Sequence, residues 1–194
     1  MSIKGKNTVD IRKMTYLAIL TAIVFVLQFI SLFLRFSAFS LTFVLVPIVI
    51  GVSICGIGAG AWLGFVFGLA VFATGDAALF LQFNIPATIF LVFLKGILAG
   101  LAAGLVYKLL EKKNRYLAII CSAVAAPVVN TGTFFLGCEL FFFKDIAAEF
   151  ALKAEEVTLF IITGFIGINF FVELAVNLIL APTIYKLIEI NKKN

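Results

Sequence analysis

Residues 87–113, ATIFLVFLKGILAGLAAGLVYKLLEKK, decide the fold. From Ala87 to Tyr107 the run is apolar or small except at Lys95, and it stops at Lys108, Lys112 and Lys113. At ~1.5 Å per residue such a helix covers the ~30 Å hydrocarbon core of a bilayer. An ammonium group at that depth costs several kcal/mol unless it is paired, hydrated or able to snorkel, so Lys95 needs a reason.

The rest of the chain has the same character. Hydrophobic residues make up 63% of the 194 positions and charged residues 13%, with a mean hydropathy of +1.20, far from the composition of soluble domains. Six apolar runs, about 13–34, 40–56, 59–75, 87–108, 116–141 and 158–185, predict an all-α integral membrane protein. The expected architecture is a six-transmembrane-helix bundle in one domain, 1–194, because no Pro/Ser-rich linker or change of composition divides the chain. The second and third runs, separated only by CGIGAG, form a tight hairpin.

Eleven of the fifteen basic residues fall at the termini or between the fourth and fifth runs: Lys4, Lys6, Arg12, Lys13, Lys108, Lys112, Lys113, Arg115, Lys186, Lys192 and Lys193. The opposite side carries Arg35, Lys144 and Lys153 among Asp76, Asp145, Glu149, Glu155 and Glu156. Positive-inside bias therefore predicts cytoplasmic N and C termini. The net charge of +5 is a topology signal whose partner is the lipid bilayer, and no nucleic-acid partner is expected. The first run is too long for a signal-peptide core and is followed by five more, so it is expected to be retained.

Histidine is absent, which removes Ser-His hydrolysis, His-ligated metal and His proton relays. The chain is not expected to be an enzyme or to carry a cofactor or metal. It has no G-x-x-x-x-G-K-[ST] phosphate loop, so any energy for uphill transport must come from an ion gradient or a partner. Cys55, Cys121 and Cys138 lack paired spacing and are expected to pack as small apolar residues.

Glycines recur every four residues in the third run (Gly56, Gly60, Gly64, Gly68) and the fourth (Gly96, Gly100, Gly104). In lipid such spacing lets backbones approach, so these are packing ridges before they are ligand loops. On the fourth helix Phe90, Leu94, Ile97, Leu101 and Leu105 form a bulky sector, and Thr88, Lys95, Ala99, Ala102 and Ala103 gather opposite it, which turns Lys95 inward.

Counting along each helix gives depth. Gln28 lies fifteen residues from Lys13, Lys95 thirteen from Lys108, Asn130 fifteen from Arg115 and Glu173 thirteen from Lys186. All four are about 20 to 22 Å from the basic end. Asn169, Glu173 and Asn177 share one face, and Asn130 and Thr133 another. Taken singly these amides are interhelical hydrogen-bond formers, and Glu173 is a partner for Lys95. Together they suggest the floor of an outward-facing solute pocket. The segment GDAALFLQFNIPA adds Asp76, Gln82 and Asn84 to the rings of Phe80 and Phe83. KDIAAEFALKAEEV is expected to form an amphipathic segment with Ile146, Phe150, Ala154 and Val157 on one side.

Helix 1, KMTYLAILTAIVFVLQFI, holds an Ala18-x-x-x-Ala22 element just inside its basic start, LVPIVIG follows on helix 2, and CGIGAGAWLGFVFG leads into helix 3. With six hydrophobic helices and both ends inside, the whole chain resembles the substrate-binding S component of an energy-coupling factor (ECF) vitamin transporter. The resemblance implies a subunit of a cell membrane, bacterial in origin. Such a subunit captures a B-type vitamin outside, joins a membrane T subunit (EcfT-type) and two cytosolic ATPases, and topples to release its cargo inside. It also implies that Ala18 and Ala22 face the T subunit.

Riboflavin-specific members are similar in having an Asn on helix 5, matched by Asn130, and an Asn closely followed by Lys on helix 6. Here Asn169 matches, but Glu173 stands near the basic position and Lys95 is supplied from helix 4. That departure ranks pantothenate or another carboxylate vitamin ahead of riboflavin. The expected binding set is Gln28, Asp76, Asn84, Lys95, Asn130, Thr133, Asn169 and Glu173. Two alternatives stay open at this level: an ion-coupled secondary carrier or channel working through Glu173 or Asp76, and a non-transporting membrane scaffold.

Overall fold

Glycine and asparagine punctuate an otherwise unbroken series of apolar helices. The computed structural model describes residues 4–36, 39–40 and 43–193. Helix α1 covers Lys4–Ser31 and passes through a 3-10 turn, Leu32–Leu34, into a two-residue strand, Arg35–Phe36, paired antiparallel with Phe39–Ser40. Then come α2 (Leu45–Cys55), α3 (Ile57–Ala73), α4 (Ala78–Phe83), α5 (Ile85–Leu110) and α6 (Arg115–Gly137). A π-helical segment, Cys138–Phe142, carries α6 into α7 (Phe143–Glu149). The last unit is α8 (Ala154–Phe160), a second π segment (Ile161–Ile166) and α9 (Gly167–Lys193).

Local chemistry explains the breaks. Gly56 turns the chain between α2 and α3 at φ 93°, a left-handed value that glycine adopts without a Cβ clash. The Asn84 side chain accepts the Ala87 amide at 3.0 Å and Pro86 occupies the first turn of α5. Asn114 accepts the Leu117 amide at 3.0 Å to start α6. Both asparagines satisfy N–H groups that a helix start leaves orphaned. Pro127 lies inside α6, and its missing N–H removes one bond of the ladder three residues before Asn130.

Among the described residues four stretches are long and apolar enough to cross a membrane: Ile11–Ser31, Ile85–Leu110, Arg115–Glu149 and Ala154–Ile190. Helices α2 and α3 are apolar but shorter, with 11 and 17 residues. Within the second apolar run, expected over 40–56, α2 begins at Leu45. The fifth and sixth extend beyond their expected ends, because the π segments keep α6 joined to α7 and α8 joined to α9.

Helix α2 contacts α1, α3, α5, α6 and α9, and Leu45, Ile48, Val49 and Val52 are buried on it. A helix that is apolar all round belongs at such a centre. The main core surrounds it with Leu20 and Val24 of α1, Leu63 and Phe67 of α3, Ala99 of α5, Ile119 of α6 and Ile184 of α9.

Helices α3 and α5 meet along their glycines. A Cβ on Gly60 or Gly64 would run into the carbonyl oxygen of Gly100 or Gly96, and the reverse substitutions meet the same obstruction. From Gly60 the four-residue spacing is therefore a packing ridge, as expected, with Gly68 set against the Phe93 ring and Gly104 against Ile57, whereas Gly56 meets nothing and serves the turn. On α5, Thr88, Ala99 and Ala103 are buried and Phe90 and Leu105 exposed, while Leu94, Ile97 and Leu101 are half-buried.

A second core lies at the far end from the basic residues of α5. Leu91, Cys138, Phe142, Ile146, Val157, Ile161 and Phe165 form it. Residues 144–157 are not one amphipathic helix. Ala151 takes a left-handed φ of 51° and the chain folds into the α7–α8 pair. Ile146 and Val157 are buried there, whereas Ala154 is exposed. The Lys153 amide donates to Glu156 Oε2 at 2.9 Å and starts α8.

Candidate functional site: an inward lysine among amides and rings

The glycine contact between α3 and α5 places Lys95, the neighbour of Gly96, at the edge of that seam. Lys95 is half-buried. Its Nζ lies 5.0 Å from the centre of the Phe134 ring on α6 and 5.6 Å from that of Phe67 on α3. Both distances suit attraction between an ammonium and an aromatic face. Glu173 and Asp76 act on Lys95 electrostatically, Glu173 the more strongly.

Gln28 is 1% exposed on α1. Its Nε2 donates to Asp76 Oδ2 at 3.1 Å and to Thr74 Oγ1 at 3.3 Å, tying α1 to the turn after α3. Its Oε1 is buried and has no partner, as are Asn130 Oδ1, Asn169 Oδ1 and Asn177 Oδ1. Such orphaned acceptors are rare in folded proteins, and each costs ~1–3 kcal/mol unless something supplies a donor. Glu173 is 3% exposed, and its backbone carbonyl accepts the Asn177 Nδ2 at 2.8 Å.

The expected residues divide by what the fold does with them. Gln28 and Asp76 touch, Lys95 lies within electrostatic reach of Asp76 and Glu173, and Asn130 and Asn169 present unsatisfied oxygens. Thr133 is half-buried on α6. Asn84 differs: its side chain is exposed and engaged in capping α5, so its role is to start the helix that carries Lys95. Ala18 and Ala22 are both exposed on α1, on a face shared with Met14 and Val26.

Three contributors were not apparent from the sequence: Phe67, Phe134 and Thr74. For Phe134 a signal existed, since it follows Asn130 by four residues and shares its face. Phe134 also packs edge-on against Phe80 at 5.4 Å, and Phe80 in turn meets Phe83, Phe142 and Phe165. The Thr88 hydroxyl donates to the Phe80 carbonyl at 2.7 Å, fixing α4 on the start of α5. The polar group around Lys95 is thus continuous with an aromatic wall built from α4, α6 and the two π segments.

Long apolar helices around a half-buried cation and unsatisfied amides define a membrane protein equipped to hold a small solute. The sequence places it more narrowly: residues 12–185 match the family model for the ECF transporter, substrate-specific component, and the chain belongs to that family. It is a substrate-specific transporter subunit. No curated protein and no solved structure matches the chain.

Proposed function

We propose that this subunit captures a small carboxylate-bearing solute, pantothenate or another carboxylate vitamin ahead of riboflavin, for uptake through a bacterial cell membrane. The observation that carries the proposal is Lys95, set against the Phe67 and Phe134 rings beside the partnerless oxygens of Gln28, Asn130 and Asn169. A solute carboxylate would take a charge-assisted bond from Lys95, and its hydroxyl and amide donors would satisfy the amide oxygens.

The chain then crosses the membrane six times, with α2 and α3 as a hairpin and both termini cytoplasmic. Helix α2 rises only ~16 Å at 1.5 Å per residue, which makes it the shorter leg of the hairpin beside α3. Basic residues at the chain ends and between α5 and α6 support this orientation. Energy comes from two cytosolic ATPases through a membrane T subunit that docks on the exposed Ala18 and Ala22. Small residues there permit close, reversible helix contact.

Native mass spectrometry of the gently purified protein tests the proposal. A co-purified carboxylate vitamin supports it, and the protein should not transport that solute in liposomes until the T subunit, ATPases and ATP are added. Transport by the isolated chain under an ion gradient would instead establish a secondary carrier, and an empty site under every condition would leave a scaffold.

A further inference from the structure

At the opposite end of α5 from the aromatic wall, a cavity of about 440 Å³ opens between α1, the α2–α3 turn and the last turns of α5. Lys13, Lys108 and Glu111 line it with Ser53, Cys55, Gly56 and Tyr107, and Val52, Ile54 and Ile57 supply apolar wall. Lys13 and Lys108 are exposed at its mouth. Helix α3 starts here, and Gly56 offers no side-chain cap to its first turn. Helices α2 and α5 both end at the same cavity, so the helix ends offset one another and its positive charge comes from the two lysines.

From this arrangement we infer that the cavity is a binding site for the phosphodiester headgroup of a membrane phospholipid. Two lysines against one carboxylate leave a single excess positive charge, which matches a monoanionic phosphodiester better than dianionic free phosphate. Depth agrees, because Lys108 marks where the apolar run of α5 meets the basic 108–115 segment, the level of lipid headgroups. The isoleucines and Val52 then face the glycerol and the first acyl carbons, and Lys13 and Lys108 close on the phosphate from two helices. The site is separate from the polar group around Lys95, so it stands or falls independently of the solute.

The test is retention of phosphatidylglycerol by the full chain, read by native mass spectrometry from mixed phosphatidylglycerol and phosphatidylcholine nanodiscs. The Lys13→Gln, Lys108→Gln double variant should hold the lipid roughly 30-fold less well, from about a fivefold contribution per basic residue near a headgroup. Lys112→Gln with Lys113→Gln removes the same charge outside the cavity lining and should change retention less than threefold. Ser53→Phe fills the cavity at constant charge and should also release the lipid. Equal losses in the two lysine pairs, or full retention in either the Lys13/Lys108 or the Ser53 variant, would overturn the site. Displacement of the lipid by millimolar inorganic phosphate would reassign it to the free anion and overturn the lipid proposal.

Discussion

Lys95→Met is the substitution that separates a solute-binding lysine from one that only answers Glu173. Methionine keeps the length and the apolar stem but loses the charge. In the solute-free protein Lys95 attracts the Phe67 and Phe134 rings at 5.6 and 5.0 Å. A solute carboxylate would gain a charge-assisted hydrogen bond of ~1.5–3 kcal/mol, less ~0.5–1 kcal/mol for a ring contact given up. The net, about 1–2 kcal/mol, is a loss of affinity of roughly 5- to 30-fold in the variant. Titration calorimetry of the detergent-solubilised protein with pantothenate reads this directly. The alcohol analogue of the same solute should bind wild type and variant alike. If Lys95 instead serves only Glu173, which is 3% exposed, methionine would leave a buried carboxylate uncompensated. Stability would then fall by about 3–5 kcal/mol and Glu173→Gln would restore it. Carboxylate affinity within twofold of wild type, together with that rescue, would refute the assignment of Lys95 to the solute.

Replacing both Ala18 and Ala22 with tryptophan adds bulk to an exposed face, so solute affinity and thermal stability should persist while co-purification with the T subunit and ATP-dependent uptake are lost; normal uptake would place the coupling face elsewhere. Gly64→Leu pushes a side chain into the Gly96 carbonyl and should lower stability by at least 1–3 kcal/mol, read as a lower unfolding temperature, whereas Gly58→Ala, with open space around its Cβ, should not. In a double-mutant cycle of Phe80→Leu with Phe134→Leu, their edge-on pair at 5.4 Å should show a coupling of ~0.5–1.5 kcal/mol, and hydrogen exchange in α4 should quicken with either change. The single tryptophan, Trp62, donates its indole N–H to Thr21 at 3.1 Å, beside Ala22, so docking of the T subunit should shift its emission; an unchanged spectrum on assembly would argue against contact there.

How much of this was legible depended on whether a signal was periodic and local. Helix α5 could be read to within two residues at each end, 87–108 against Ile85–Leu110, since its apolar run stops at the basic cluster. The glycine seam could be read too, because a four-residue repeat on two neighbouring helices has few other uses in lipid. The start of α2 at Leu45 could not, because Phe43 and Val44 outside the helix are as apolar as the residues within it. The division of residues 143–160 into α7 and α8 turns on a left-handed Ala151, which lets the Leu152 amide donate back to the Ala147 carbonyl at 2.9 Å and close α7, a conformation not signalled by alanine itself.

The site shows the same boundary more sharply. Depth counted at a fixed rise groups residues on helices, and it assembled Gln28, Lys95, Asn130 and Glu173 without any contact information. It has no term for a residue in a turn. Asp76 joins the group because the Gln28 amide reaches across to the α3–α4 connection, and Asn84, equally polar and in the same loop segment, is diverted because a helix start needed a cap. Phe67 and Phe134 escaped for a different reason: on an apolar helix a ring facing lipid and a ring facing a cation have the same sequence signature. Only the position of the charge distinguishes them, so once Lys95 is known to turn inward, the aromatic residues at its level on α3 and α6 become the first candidates for its partners, and Phe134, one turn from Asn130, is the one the periodicity already allowed.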